Sequence, residues 1–104
     1  MKIKSIILPA VLLAMFFRAD ATINVVTTTT DLRSIAEFIG GNKISALSIA
    51  TGYQNPHFVD PKPSYIISLS HADLFVTVGL DLETGWSPQL VTSSRNPKIQ
   101  KGYL

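Results

Sequence analysis

The chain has 104 residues, of which 46% are hydrophobic and 15% are charged, and it contains no cysteine. This length allows at most one domain. The lack of cysteine excludes a small secreted fold stapled by disulfides and a lipid anchor on a cysteine of this sequence. The formal net charge of +2 lies in the first 21 residues, because the remainder has six basic and six acidic side chains. No basic cluster with interleaved aromatic residues follows, so we do not expect a nucleic-acid partner.

Residues 1–21 have the pattern of a signal peptide. A basic start, MKIK, precedes an apolar run at residues 6–17, and residues 19–21 read Ala-Asp-Ala, a typical cleavage signal. As a helix this run spans only about 18 Å, too short for a hydrocarbon core of roughly 30 Å. A buried helix or a short anchor is the alternative. We expect export to the periplasm, with a mature chain of residues 22–104 that is neither a lipoprotein nor stably inserted in a membrane.

The first predicted elements are a strand and a helix. Residues 23–28 are short and β-branched, which favours a buried strand. Thr29, Thr30 or Asp31 can cap the helix that follows, although a threonine hydroxyl here could also contact a ligand. The apolar face of this helix has four residues at helical spacing: Leu32, Ile35, Ala36 and Ile39. Gly40 and Gly41 predict its end.

Two further strand and helix pairs are predicted. A second strand lies within residues 44–51, and a helix follows in which Asp60 is the expected cap and Pro61 and Pro63 occupy the first turn. Residues 74–79 form a nearly continuous apolar strand, as central parallel strands do. A weaker helix is expected at residues 82–92, and residues 96–101 form a turn. This alternation predicts an α/β fold, a parallel sheet with helices on both faces.

His57 lies in a connector rich in proline. Residues 52–64 read GYQNPHFVDPKPS, with three prolines around one of the two histidines of the chain. The connector leaves the carboxyl end of the second strand, which is where ligands bind on such sheets. An imidazole on a stiff loop suits a metal ion, because its freedom is reduced before binding. A capping or packing role for His57 stays open. His71, expected in the middle of a helix and on its polar face, is interpreted as solvated surface.

The connector resembles a motif of the solute-binding proteins of zinc and manganese ABC importers. The usual form there is D-P-H-x-x-E-P-x-P-S. Two other stretches are similar to segments of that family: TTTDL at residues 28–32, and ADLFVTVGLDLETGW at residues 72–86. These stretches occur in the family's order, and together with the leader they cover most of the chain.

The resemblance implies capture of Zn²⁺ or Mn²⁺ in the periplasm and delivery of the ion to the membrane permease of an ABC importer, without enzymatic activity. It implies that residues 22–104 are part of the N-terminal lobe of a two-lobed protein, and that His57 is a metal ligand. Asn55 and Asp60 stand where the family has aspartate and glutamate, neither of which binds the metal. The asparagine is expected to weaken the hydrogen bonds that aim the imidazole.

The ligand count limits this interpretation. Zinc takes about four ligands in a closed site, and the family's other ligands lie in regions beyond Leu104, so we interpret the sequence as an N-terminal piece of a metal-binding protein. The alternative is a binding or interaction module that takes no metal and in which His57 is structural. A metal-dependent hydrolase is less favoured, because no general base or second ligand cluster is visible. One histidine does not define which metal is bound.

Overall fold

The computed structural model describes residues 21–100. The predicted signal peptide lies outside the described residues except for Ala21, so its boundary stays a prediction. The strands are β1 (Ile23–Thr27), β2 (Ile44–Ser48) and β3 (Leu74–Val76). The helices are α1 (Thr30–Gly40), α2 (Pro63–Ser70), α3 (Ser87–Ser94) and α4 (Pro97–Gln100), and a 3-10 turn at Gly41–Lys43 joins α1 to β2.

The three strands form one parallel sheet in the order β2-β1-β3. In this register Val25 is paired with Ala46 on one side and with Leu74 on the other. Parallel neighbours need a long crossover connection, which α1 and α2 supply. The predicted parallel α/β sheet is therefore confirmed.

Helices cover both faces of the sheet, as predicted. Successive strand residues point to opposite faces. Val25 lines an apolar groove together with α1 residues. Its neighbour Val26 belongs to the buried core on the other face, where Leu69 of α2 and Leu90 of α3 also lie. The main core is therefore on the α2 and α3 face, and no side chain of α1 is fully buried.

Helix α1 begins and ends where local chemistry predicts. Thr29 is the N-cap, and its hydroxyl accepts a hydrogen bond from the Leu32 N–H at 3.5 Å. Gly41 is the C-cap with φ of +55°, a left-handed value that glycine adopts without the steric penalty of a Cβ. Of the three residues predicted as possible caps, Thr29 is the one that caps the helix. The end predicted at Gly40 and Gly41 is confirmed.

Helix α2 begins later than predicted. It starts at Pro63, its N-cap is Lys62, and no side chain caps it, so the prediction that Asp60 caps the helix with Pro61 in its first turn is wrong. The reason is steric. The residue before a proline is pushed into extended backbone, and Lys62 has φ of −118° and ψ of 145°.

The segment after β3 also differs from the prediction. The strand ends at Val76 rather than Gly79, and α3 begins at Ser87 rather than Leu82. Three consecutive residues, Gly79 to Asp81, have positive φ, a conformation that no helix contains. Residues 80–86 form turns instead. Within residues 21–100, no helix has the length and apolar character needed to cross a membrane.

Candidate functional site

The connector between β2 and α2 is the candidate site. It begins at the carboxyl edge of the sheet, where the Ile49 N–H donates to the Thr27 carbonyl at 2.9 Å and the Ala50 N–H donates to the Thr28 carbonyl at 3.0 Å. Ile49, Ala50 and, further along, Val59 are buried in the core. These residues fix the connector on both sides of residues 51–58, which include His57 and are exposed except for the half-buried Pro56.

Asn55 orients the ring of His57. Its side-chain oxygen Oδ1 accepts the His57 main-chain N–H at 3.0 Å and also lies 3.0 Å from the ring nitrogen Nδ1. Because Oδ1 only accepts, Nδ1 carries the proton, and Nε2 has the free lone pair. This tautomer is the one in which an exposed histidine can bind a metal ion through Nε2.

The exposure of His57 argues against a packing role. The Phe58 ring beside it is itself 80% exposed, with the two ring centroids 6.3 Å apart. The Phe58 N–H donates to the Asn55 carbonyl at 3.0 Å, which closes a turn around the histidine. The loop therefore presents the imidazole outward instead of burying it.

Trp86 ties the connector to the rest of the fold. Its indole Nε1–H donates to the Pro56 carbonyl at 2.7 Å. Trp86 is only 4% exposed and belongs to the same buried cluster as Val59. In the sequence, Trp86 stood out only as the last residue of the stretch at residues 72–86 that resembles a segment of the metal-importer family. The signal that could have singled it out is that it is the one tryptophan of the chain.

Glu83 organises the turn that precedes Trp86. Its carboxylate accepts hydrogen bonds from the Thr28 hydroxyl at 3.0 Å and from the N–H groups of Val78 at 2.7 Å and Gly79 at 3.1 Å. It is only 5% exposed. Sequence reasoning also missed this role. The available signal was weak: Glu83 lies between the apolar residues Leu82 and Trp86, and buried carboxylates are rare unless they are hydrogen-bonded.

His71 does not join His57 in one site. It is the C-cap of α2 rather than a mid-helix residue, so that part of the prediction is wrong. Its Nδ1 lies 2.9 Å from the Ile67 carbonyl and 3.2 Å from the Ser70 hydroxyl, and the side chain is exposed. In the part of the chain that the structure describes, no group of three or more His, Cys, Asp or Glu side chains could hold a metal ion.

Comparison with known proteins decides the family. The family model described as "Zinc-uptake complex component A periplasmic" (ZnuA) matches residues 25–102, more than half of the chain. The chain belongs to the ZnuA family. This family consists of solute-binding transport proteins and is not an enzyme family.

Relatives in the ZnuA family include two streptococcal proteins. The chain is 37% identical over 87 residues to the metal ABC transporter substrate-binding lipoprotein ScbA of Streptococcus cristatus, a match that covers 81% of this chain and 28% of ScbA. It is 39% identical over 85 residues to the manganese ABC transporter substrate-binding lipoprotein PsaA of Streptococcus pneumoniae, covering 79% of this chain and 27% of PsaA. The chain thus spans just over a quarter of these relatives.

A solved structure supports the same family. A zinc-bound deletion mutant of ZnuA superposes on 75% of this chain and 30% of its own, with a TM-score of 0.68 and 27% sequence identity. The suspected resemblance to solute-binding proteins of zinc and manganese importers is therefore confirmed.

The expectation that the protein is not a lipoprotein is wrong. ScbA and PsaA are both named lipoproteins. The expectation rested on the absence of cysteine from the 104 residues. Lipid attachment needs one thiol and makes no demand on the core or the sheet, so the composition of this stretch is a poor guide to lipid attachment.

Proposed function

We propose that this protein captures a divalent transition metal, Zn²⁺ or Mn²⁺, for delivery to the membrane permease of an ABC importer, and that His57 supplies one metal ligand. One observation carries the proposal. His57 is exposed on a connector fixed at both ends, and Asn55 holds its Nδ1 proton and leaves Nε2 free to bind a metal ion.

The relatives support the choice of substrate. PsaA is named a manganese transporter component, and the matched ZnuA structure is described as zinc-bound. Both ions can be bound by an imidazole nitrogen. A single histidine defines neither the softness of the ligand set nor the coordination geometry, which are what distinguish one metal from another. The proposal therefore covers both metals. It includes no chemical step on the metal, so the protein is proposed to be a carrier and not an enzyme.

The ligand count sets the expected affinity. High affinity for zinc requires about four donors around one ion, whereas residues 21–100 offer no cluster of three acidic, cysteine or histidine side chains. We therefore propose that the 104-residue chain binds zinc weakly, and that tight binding appears when the longest chain that the gene encodes brings further donors to His57.

Calorimetric titration with Zn²⁺ and with Mn²⁺ tests this proposal on the 104-residue chain and on the longest encoded chain. Replacement of His57→Ala in the longer chain should weaken zinc binding by more than about 100-fold, because residues that only support a ligand already contribute roughly 10- to 100-fold. His71→Ala is the matched control and should bind as the wild type does. Tight binding that survives His57→Ala would contradict the proposal.

A further inference from the structure

We propose that Trp86 is a positioning residue for His57, which holds the connector so that the imidazole meets the metal in one place. This inference rests on the proposed function of His57 as a ligand. Nothing in the motif around His57 indicates it, because Trp86 lies 30 positions from Pro56 in the sequence.

Both polar groups of one peptide unit are bound. The carbonyl of Pro56 and the N–H of His57 belong to the same planar peptide. The carbonyl accepts the Trp86 indole N–H at 2.7 Å, and the N–H donates to Asn55 Oδ1 at 3.0 Å. A planar unit whose carbonyl and N–H are both bound cannot rotate freely, so the Cα atom of His57 is held on its N-terminal side.

The support for this peptide comes from the core. Trp86 is buried, and its own main-chain N–H donates to the Glu83 carbonyl at 3.2 Å. The carbonyl oxygen of His57 also lies beside Gly85, where a Cβ atom would meet it at 3.8 Å. The segment before α3 therefore packs directly against the loop that presents the histidine.

The two supports have different effects on the histidine. Asn55 sets the rotation and tautomer of the ring, whereas Trp86 sets the position of the backbone from which the ring extends. Asn55 is itself exposed, so it cannot anchor the loop to the core. Trp86 anchors the loop to the core. The loop is therefore already ordered before the metal binds, which lowers the entropy cost of binding.

The test replaces Trp86 with β-(3-benzothienyl)alanine, which keeps the shape of the indole and has sulfur in place of the N–H. The longest encoded chain is titrated with Zn²⁺. We expect zinc binding to weaken by roughly 10- to 100-fold, the range for residues that orient a metal ligand. In ¹⁵N NMR of the zinc-free protein we expect the ring resonances of His57 to broaden or shift, while those of His71 stay unchanged.

Leu90→Val is the matched control for lost stability. Leu90 is 1% exposed in the same cluster as Trp86, so this change weakens the core without removing the hydrogen bond to Pro56. It should lower the unfolding temperature and leave zinc affinity and the His57 resonances unchanged.

The outcomes separate the two proposals. If the isostere binds zinc like the wild type while His57→Ala loses binding, the positioning role of Trp86 is wrong and the proposed function stands. If Leu90→Val weakens zinc binding as much as the isostere does, Trp86 acts through stability alone and the inference is overturned. If His57→Ala binds zinc unchanged, the proposed function fails, and the His57 resonances of the isostere then decide whether Trp86 still orders this loop.

Discussion

At the scale of single residues, two side chains with one acceptor group each organise the region around the site. Asn55 Oδ1 serves both the main chain and the ring of His57. The Glu83 carboxylate accepts from the hydroxyl of Thr28, which follows β1, and from the N–H groups of Val78 and Gly79, which follow β3. Replacing one oxygen or nitrogen atom in either side chain should therefore have a measurable effect, on zinc affinity for Asn55 and on stability for Glu83.

Asn55→Asp should strengthen zinc binding. A carboxylate in place of the amide is a stronger acceptor for the Nδ1 proton, and charge-assisted hydrogen bonds are roughly twice as strong as neutral ones. We expect zinc binding by the longest encoded chain to become tighter by up to about 10-fold, since such supporting partners are worth roughly 10- to 100-fold in all. Asn55→Ala should weaken it. Calorimetric titration checks both changes, and equal affinities in all three proteins would show that Asn55 does not orient the ligand.

Glu83→Gln should destabilise the fold by about 1–3 kcal/mol, the usual range for hydrogen bonds to a charged group or for a buried group left unsatisfied. The new amide nitrogen would face either the Thr28 hydroxyl and the Val78 N–H, which share one oxygen of Glu83, or the Gly79 N–H, so at least one N–H loses its acceptor. Urea unfolding followed by circular dichroism measures the loss. Thr28→Val, which removes one of the three bonds, is the control and should cost less. An unchanged midpoint for Glu83→Gln would contradict this account.

At the scale of secondary structure elements, Asp73 joins β3 to β1 and to α4. Its Oδ2 accepts the Asn24 N–H at 2.8 Å, and its Oδ1 accepts the Lys98 ammonium at 2.7 Å. Its main-chain N–H also donates to the Asn24 carbonyl at 2.8 Å. The Lys98 hydrogen bond first, and then the Asn24 N–H, lower the pKa of Asp73 below its ordinary value of 3.8.

This pKa shift predicts a pH-dependent stability difference. Because the folded pKa lies below 3.8, the contribution of the Asp73 carboxylate is fully present above that value and is lost as the pH falls through the folded pKa. Asp73→Asn should therefore lower the unfolding temperature at pH 7, by a small amount because the ion pair is exposed to solvent. The difference should shrink below pH 3.8.

Thermal melts of the wild type and Asp73→Asn across this pH range measure the effect, with Lys98→Gln as a second variant that removes the same pair. A difference that stays constant from pH 7 to the acid end would contradict the assignment.

At the scale of the whole molecule, the two faces of the sheet are unequally covered. The α2 and α3 face holds the buried core. On the other face α1 leaves an apolar groove of about 310 Å³, lined by residues of all three strands and of α1. Ile35 and Ile39 of α1 are 55% and 79% exposed, and Leu74 of β3 is 52% exposed. Exposed apolar surface of this kind favours association or loss of structure.

We therefore expect the 104-residue chain to self-associate or to be partly unfolded at room temperature, since small domains are marginal in stability. Ile39→Lys should reduce self-association with little loss of stability, because the side chain is mostly exposed and lines the groove. Ile67→Lys, which changes a 60% exposed isoleucine of α2, is the matched control. Sedimentation velocity measures the effect. A monomeric wild type with a cooperative transition well above that of ordinary mesophilic domains would contradict this expectation.

The sequence by itself determined the parallel α/β order, the end of α1, the position of His57 at the carboxyl edge of the sheet, and the resemblance to metal-importer proteins. All of these depend on residues close together in the chain, such as strand patterns, caps and a proline-rich motif. The tertiary structure alone decided that Trp86 binds the Pro56 carbonyl, that Glu83 binds Thr28, and that helix α3 begins at Ser87. The physical reason is that these depend on hydrogen bonds between residues 30 and 55 positions apart and on a turn with positive φ. No local pattern of propensity or periodicity encodes such contacts, because they exist only after the sheet has brought its strand ends together.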